Sequence, residues 1–153
     1  MSDKQYKVFR IDNGTVIDHI VPTMALKIIE ILGIKDQGLV SIGINFDSGK
    51  VGKKDIIKYE NVYLDKKETD LIALFSPQAT INIIKDNSVV EKRKIEMPKV
   101  IESIIKCPNP TCVTNNYSDC DTRFLVERFD ENSTVVRCSY CEKETLVLTE
   151  MIK

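Results

Sequence analysis

The chain has no tryptophan, a single histidine, His19, and only five prolines and six glycines among 153 residues. One histidine excludes a histidine-rich metal site and leaves little room for histidine-dependent catalysis. No run of eighteen apolar residues occurs, so no membrane-spanning helix is expected. Neither a P-loop nor a G-x-G-x-x-G stretch is present, so both standard phosphate cradles are absent. Charge of one sign is also lacking: 22 Lys and Arg stand against 23 Asp and Glu. The opening Met1-Ser2-Asp3-Lys4-Gln5-Tyr6-Lys7 leads into no apolar segment, so no secretory leader is expected. A cytoplasmic chain with reduced thiols is the reading that follows. There are no internal repeats or low-complexity tracts.

What is present is a cysteine pattern. Cys107 and Cys112 form C-x4-C, and Cys138 and Cys141 form C-x2-C, with 25 residues between the pairs. Each pair brackets a turn. Thiolates are soft ligands, and two close pairs can occupy the four corners of a tetrahedron around Zn²⁺. Four protein ligands leave no open position, so one structural Zn²⁺ is expected and not a catalytic one. Two disulfides are the rival reading, disfavoured in a reducing compartment. Cys120 lacks a close partner in sequence and is read as a free thiol.

Apolar periodicity divides the chain near Met97-Pro98, giving expected domains 1–98 and 99–153. Strands are expected at 6–11, 15–20, 39–46, 53–59, 79–84 and 88–95. Asn13-Gly14 and Asp86-Asn87 read as turns. A first helix should begin near Pro22, carry Ala25, Ile28, Ile29 and Leu32 on one face, and stop at Gly33. A second should follow Asp65, with Glu68 completing a capping box, and end before Pro77. The order β-α-β-β-α-β, with extra strands at the ends, gives an α+β class: a ferredoxin-like antiparallel sheet with two helices on one face. After residue 98 only short strands are expected, at 123–128, 134–137 and 145–148. That makes a small all-β zinc-binding domain with a marginal core.

Charge is distributed unevenly. Residues 1–100 carry 16 basic against 14 acidic side chains, and residues 101–153 carry 6 against 9. An acidic zinc module argues against a zinc ribbon that binds nucleic acid, the main alternative. In the first domain Lys54 and Lys58 lie four apart on one strand and so share a face, with Cα atoms about 13 Å apart. Lys92, Arg93 and Lys94 lie on the last strand, and Asp18 and His19 precede the first helix. Together they could hold an anionic nucleotide on the sheet face opposite the helices. On composition alone the plainer reading is solubilising charge on exposed strands. A further rival, an enzyme using Cys120 or His19, is weakened because a catalytic cysteine needs an activating neighbour and Cys120 is flanked by Asp119 and Asp121.

Several stretches together resemble one family, the regulatory chain of aspartate carbamoyltransferase. They are Gly14-Thr15-Val16-Ile17-Asp18-His19-Ile20, Ile42-Gly43-Ile44-Asn45, Ser48-Gly49, Gly52-Lys53-Lys54-Asp55-Ile56-Ile57-Lys58, Glu60-Asn61, Pro77-Gln78-Ala79-Thr80-Ile81-Asn82, Cys107-Pro108-Asn109 and Cys138-Ser139-Tyr140-Cys141-Glu142-Lys143-Glu144. The resemblance implies a non-catalytic chain with a nucleotide-binding allosteric domain and a zinc domain. It implies homodimers through the first domain, contact with the catalytic chain through the second, and CTP and ATP as effectors in pyrimidine synthesis. No nucleic acid or membrane partner is implied. By position, Asp18, Lys58 and Lys92 become the effector-site charges, with His19 near the phosphates and Lys54 adjacent. Val8, Ile11, Val16, Asn82, Ile84 and Val89 become the lining of the base and ribose pocket. Asn109, Glu142 and Lys143 become candidate contacts with the catalytic chain.

Overall fold

The computed structural model describes residues 10–33, 38–49 and 52–153. The expected strand over 6–11 falls mostly outside them; Arg10 and Ile11 are not in a strand, and Ile11 is buried. The described chain forms two compact units. One comprises the residues up to Asp65 together with Gln78–Ile95, and the other comprises Lys66–Pro77 with Glu96–Lys153.

The first unit is built on β1 (Gly14–Ile20), α1 (Ala25–Leu32), β2 (Val40–Ser48), β3 (Gly52–Glu60), β4 (Thr80–Lys85) and β5 (Ser88–Lys94). Its five strands run in the order β2-β3-β1-β4-β5, all antiparallel. This is the ferredoxin-like strand order with β5 added as an edge. Side chains alternate across a strand, so one face carries Ile17, Ile57, Tyr59 and Ile81, all buried. Ala25, Ile28 and Leu32 give α1 its buried stripe. The helix starts three residues after Pro22, which sits instead in a turn closed by the Met24 N–H on the Val21 carbonyl. Gly33, at φ 78°, ends it as expected.

Asn13-Gly14 does more than turn the chain. The Asn13 carbonyl accepts the Asn61 N–H, and its side-chain oxygen accepts the Asp86 N–H. Gly14 lies so close to the Tyr59 carbonyl that a Cβ there would meet it at 2.0 Å, so only glycine fits. Asp86 and Asn87 have φ of 50° and 65°, as a tight hairpin between β4 and β5 requires.

Sequence reasoning gave no role to Asp55, which is fully buried on β3. Its carboxylate accepts the Ala25 N–H at the start of α1 (3.1 Å) and the Asn45 N–H (2.8 Å). Met24 supplies no side-chain cap, so Asp55 caps the helix from a neighbouring strand. Asn45 (φ 64°), and Thr23 (φ 71°) just before the helix, hold left-handed conformations beside these bonds.

The second unit contains α2 (Lys66–Phe75), β6 (Val100–Glu102), α3 (Val113–Asn116), β7 (Arg123–Phe129), β8 (Thr134–Cys138) and β9 (Glu144–Leu146). The strands form an antiparallel sheet ordered β6-β7-β8-β9. β6 and α3 were not expected from sequence, because three- and four-residue elements carry no periodic signal. Asp65 immediately precedes α2, whose residues 71–74 are buried; the Thr134 hydroxyl donates to the Leu74 carbonyl at 2.9 Å. Ile101, Ile105, Phe124 and Val136 are buried in this unit. A 3-10 turn at Thr149–Met151 returns the chain, and the Lys153 N–H reaches the Ile104 carbonyl (3.1 Å) just ahead of Cys107.

Replacing Asp55 with alanine strands two backbone donors. We expect a loss of about 2–4 kcal/mol in the stability of the first unit. A urea transition at the parent's midpoint would show that Asp55 is not the helix cap described.

Candidate metal centre and effector face

The four expected cysteines converge. The sulfurs of Cys107, Cys112, Cys138 and Cys141 all lie within 4.8 Å of one another, with Cys107–Cys141 and Cys112–Cys138 each at 3.7 Å. An ion about 2.3 Å from each corner gives a tetrahedron with edges of about 3.8 Å, which fits these separations. All four are free thiols, so the two-disulfide reading is not what the structure shows. Cys120 lies outside the cluster, beside the Tyr140 hydroxyl.

Each turn aims backbone N–H groups at sulfur. Those of Tyr140 and Cys141 face Cys138, that of Lys143 faces Cys141, that of Asn109 faces Cys107 and that of Thr114 faces Cys112. Such donors stabilise thiolates. Burial is the largest influence on every thiol. It pushes Cys107 and Cys138 up. At Cys112 burial is outweighed by the Thr114 hydroxyl and N–H, which pull the thiol down. At Cys141 it is outweighed by the Asn109 side chain and the Lys143 N–H, which lower it to about 7. The donor set is all sulfur and closed, and suits a thiophilic, tetrahedral ion.

Lys58, Val16, Asn82, Lys92, Lys54 and Asp18, among the expected effector residues, share one face of the first sheet. Register places Lys58 opposite Val16, Val16 opposite Asn82, and Asn82 opposite Lys92, a row crossing β3, β1, β4 and β5. Lys54 and Asp18 belong to the same face and pair at 3.0 Å, both largely buried. A bulge in β1 lets His19 take φ 55°, with its own N–H bonded to the Asp18 carboxylate at 2.6 Å. The His19 ring Nδ1 lies 3.0 Å from the Thr80 hydroxyl and 3.9 Å from Asp18. Burial, then Arg10, lowers the Lys58 pKa, and Asp18 opposes them. Arg10 thus joins the charges around Lys58, a contribution sequence reasoning missed.

The remaining expected residues are less closely gathered. Ile11 and Ile84 are buried and Val16 half-buried, whereas Val89 and Lys92 are exposed on the edge strand. Val8 lies outside the described residues. Asn82 holds a buried Oδ1 with no partner among the described residues, an acceptor in the middle of the row. In the second unit, Asn109 and Lys143 line one cavity of about 250 Å³ with Cys107, Pro108, Pro110, Glu144 and Thr145. Glu142 occupies a left-handed position, φ 62°, just after Cys141.

The thiol pattern sets a pH dependence. Cys107 and Cys138 hold their protons well above neutral pH, so metal must displace them. Uptake of Zn²⁺ near neutral pH should therefore release protons, and retention should strengthen as pH rises and weaken as it falls. The base needed to hold pH during a weakly buffered Zn²⁺ titration measures this; uptake without proton release would contradict it.

Comparison with known proteins accounts for both units. Residues 6–96 match the family model for the aspartate carbamoyltransferase regulatory chain, allosteric domain, and residues 99–147 match that for its metal binding domain. A relative from Methanococcus maripaludis is 46% identical over 140 residues, covering 92% of this chain and 93% of its own. One from Saccharolobus solfataricus is 47% identical over 137 residues, covering 88% and 85%, and one from Pyrococcus horikoshii is 48% identical over 142 residues, covering 91% of each. All three are named aspartate carbamoyltransferase regulatory chain. With its sheet, its four-cysteine cluster and these relatives in agreement, the chain belongs to the family of aspartate carbamoyltransferase regulatory chains.

Proposed function

We propose that this chain senses nucleoside triphosphates on its first sheet and bridges catalytic trimers of aspartate carbamoyltransferase through a zinc-shaped second domain. It contributes regulation and no catalytic group to the committed step of pyrimidine synthesis in the cytoplasm. Residues 1–98 form the effector domain, which also pairs the chain with a second copy, and residues 99–153 the metal domain. The observation that carries the effector reading is the row Lys58–Val16–Asn82–Lys92, with the Asp18–Lys54 pair beside it. Lysines at both ends supply charge for phosphate oxygens. The orphaned Asn82 acceptor calls for a ligand donor, a ribose hydroxyl or a base amino group. Asp18 orients Lys54, while His19 lies close by. CTP and ATP are the effectors for which this face is read.

Zn²⁺ is the ion the all-sulfur set suits best. When bound, it supplies cross-linking between two turns that are distant in sequence and no chemistry on a substrate. Asn109, Glu142 and Lys143 stand on those turns, so the metal shapes the surface offered to the catalytic chain. The acidic balance of residues 101–153 does not favour nucleic acid. Among the described residues no helix is long and apolar enough to cross a membrane.

Effector binding can shift the enzyme only by its differential affinity for two states, typically worth about 1–3 kcal/mol. Aspartate saturation of the reconstituted holoenzyme should therefore move when CTP or ATP is added. Lys58→Ala should weaken nucleotide binding by about tenfold or more, the loss of one charge-assisted contact. Superimposed saturation curves, with bound nucleotide undetectable, would remove the effector reading. Stripping the metal with a chelator should separate the regulatory chain from catalytic trimers; light scattering showing an intact complex without metal would remove the bridging reading.

A further inference from the structure

Beyond the four sulfurs, Asn115, Asn116 and Arg137 donate side-chain hydrogen bonds to the backbone of the cysteine turns, in a pattern that motif spacing does not assign. The Asn115 amide donates to the Cys107 carbonyl (2.8 Å) and the Asn109 carbonyl (2.7 Å). The Asn116 amide donates to the Cys112 carbonyl (2.9 Å) and the Pro110 carbonyl (3.4 Å). Between them these two residues of α3 grip both ends and the middle of the C-x4-C turn. The C-x2-C turn is held from β8. There the Arg137 guanidinium donates through one terminal nitrogen to the Glu142 carbonyl (3.0 Å). Its other two nitrogens go to Glu127 and Glu144, each at 2.8 Å.

The geometry is selective. Glu142 has φ 62°, a conformation unfavourable to a non-glycine residue, and Arg137 bonds its carbonyl directly. Glu127 and Glu144, on β7 and β9, anchor the guanidinium plane to the strands on either side of β8. Arg128 also approaches Glu144 (3.5 Å), from β7, and among the described residues it is Arg137 whose guanidinium bonds the Glu142 carbonyl. Arg137 is exposed enough that its ion pairs add little to stability. Its distinctive act is the third bond, made from a planar fork of three nitrogens that a lysine's single nitrogen does not reproduce.

We propose that Asn115, Asn116 and Arg137 are positioning residues of the metal centre: they hold both cysteine turns ready for the ion and set how slowly it leaves. This rests on the metal reading. If the parent chain itself carries no tightly held Zn²⁺, that reading has failed; if it does, the variants test the proposal separately.

The experiment is Zn²⁺ release from the full-length loaded chain into excess chromogenic chelator at neutral pH. Arg137→Ala and Asn116→Ala should release the ion about 10–100-fold faster than the parent, the range for residues that orient metal ligands. Arg137→Lys should stay fast, and Arg128→Ala should match the parent. Co²⁺-loaded Arg137→Ala should show shifted or broadened d–d bands, while its thermal midpoint with metal bound moves little. If Asn116→Ala does not fold, Asn116→Gln, whose amide is displaced by one methylene, should also release faster. Parent-like release from Arg137→Ala and Asn116→Ala, full rescue by Arg137→Lys, or equal acceleration by Arg128→Ala would overturn the proposal. So would a lowered thermal midpoint with release unchanged.

Discussion

Four sulfurs must meet at one point, and most of the second unit follows from that requirement. The cysteine pairs are separated by 25 residues, so the intervening chain has to leave and return in register. It does so through β7 and β8, where Phe124 stands opposite Cys138 and fills the core beside it. A domain of this size buries too little apolar surface to be secure alone. A tetrahedral cross-link between its two turns supplies the constraint that a larger core would otherwise provide. The C-terminal return against Ile104 fixes the chain just before the first cysteine, so that turn is held from outside as well.

The first unit is organised by a different constraint, the two-residue period of a strand. One parity of residues on β1, β3 and β4 is mostly apolar and buried with α1, with Thr15 and the helix-capping Asp55 as its buried polar members. The other parity carries Lys54, Lys58, Asp18 and Asn82. A shift of one residue in any pairing would send these charges into the core, so the core itself enforces the alignment of the charged row. A bulge in β1 departs locally from this alternation, and it falls at Asp18 and His19. There the Asp18 carboxylate holds both its neighbour's N–H and the Lys54 ammonium, stabilising an otherwise costly backbone.

Much of this was legible in residue order. The cysteine spacing pointed to the four sulfurs that converge, because two close thiol pairs suit a tetrahedral metal site. Alternation located β2, β3 and β4, and the helical stripe with its terminal Gly33 located α1. Asp55, Asn115, Asn116 and Arg137 were not legible. Each acts on a backbone group distant in sequence, or across a turn whose shape has no periodic signature. Polar residues of these kinds are common on surfaces, and nothing in their neighbours marks one as buried or engaged. The grouping of α2 with the second unit was equally hidden, since the helix lies between two strands of the first.

The sequence by itself determined which atoms could hold a metal and which strand faces would be apolar, because ligand chemistry and side-chain period are local properties. Tertiary structure decided how those atoms meet. It set the 3.7 Å approaches between sulfurs, the charged row across four strands, and the three side chains that grip the cysteine turns. The physical reason is that hydrogen bonds and coordination depend on distance and angle. Only packing of the whole chain brings residues far apart in sequence within that reach.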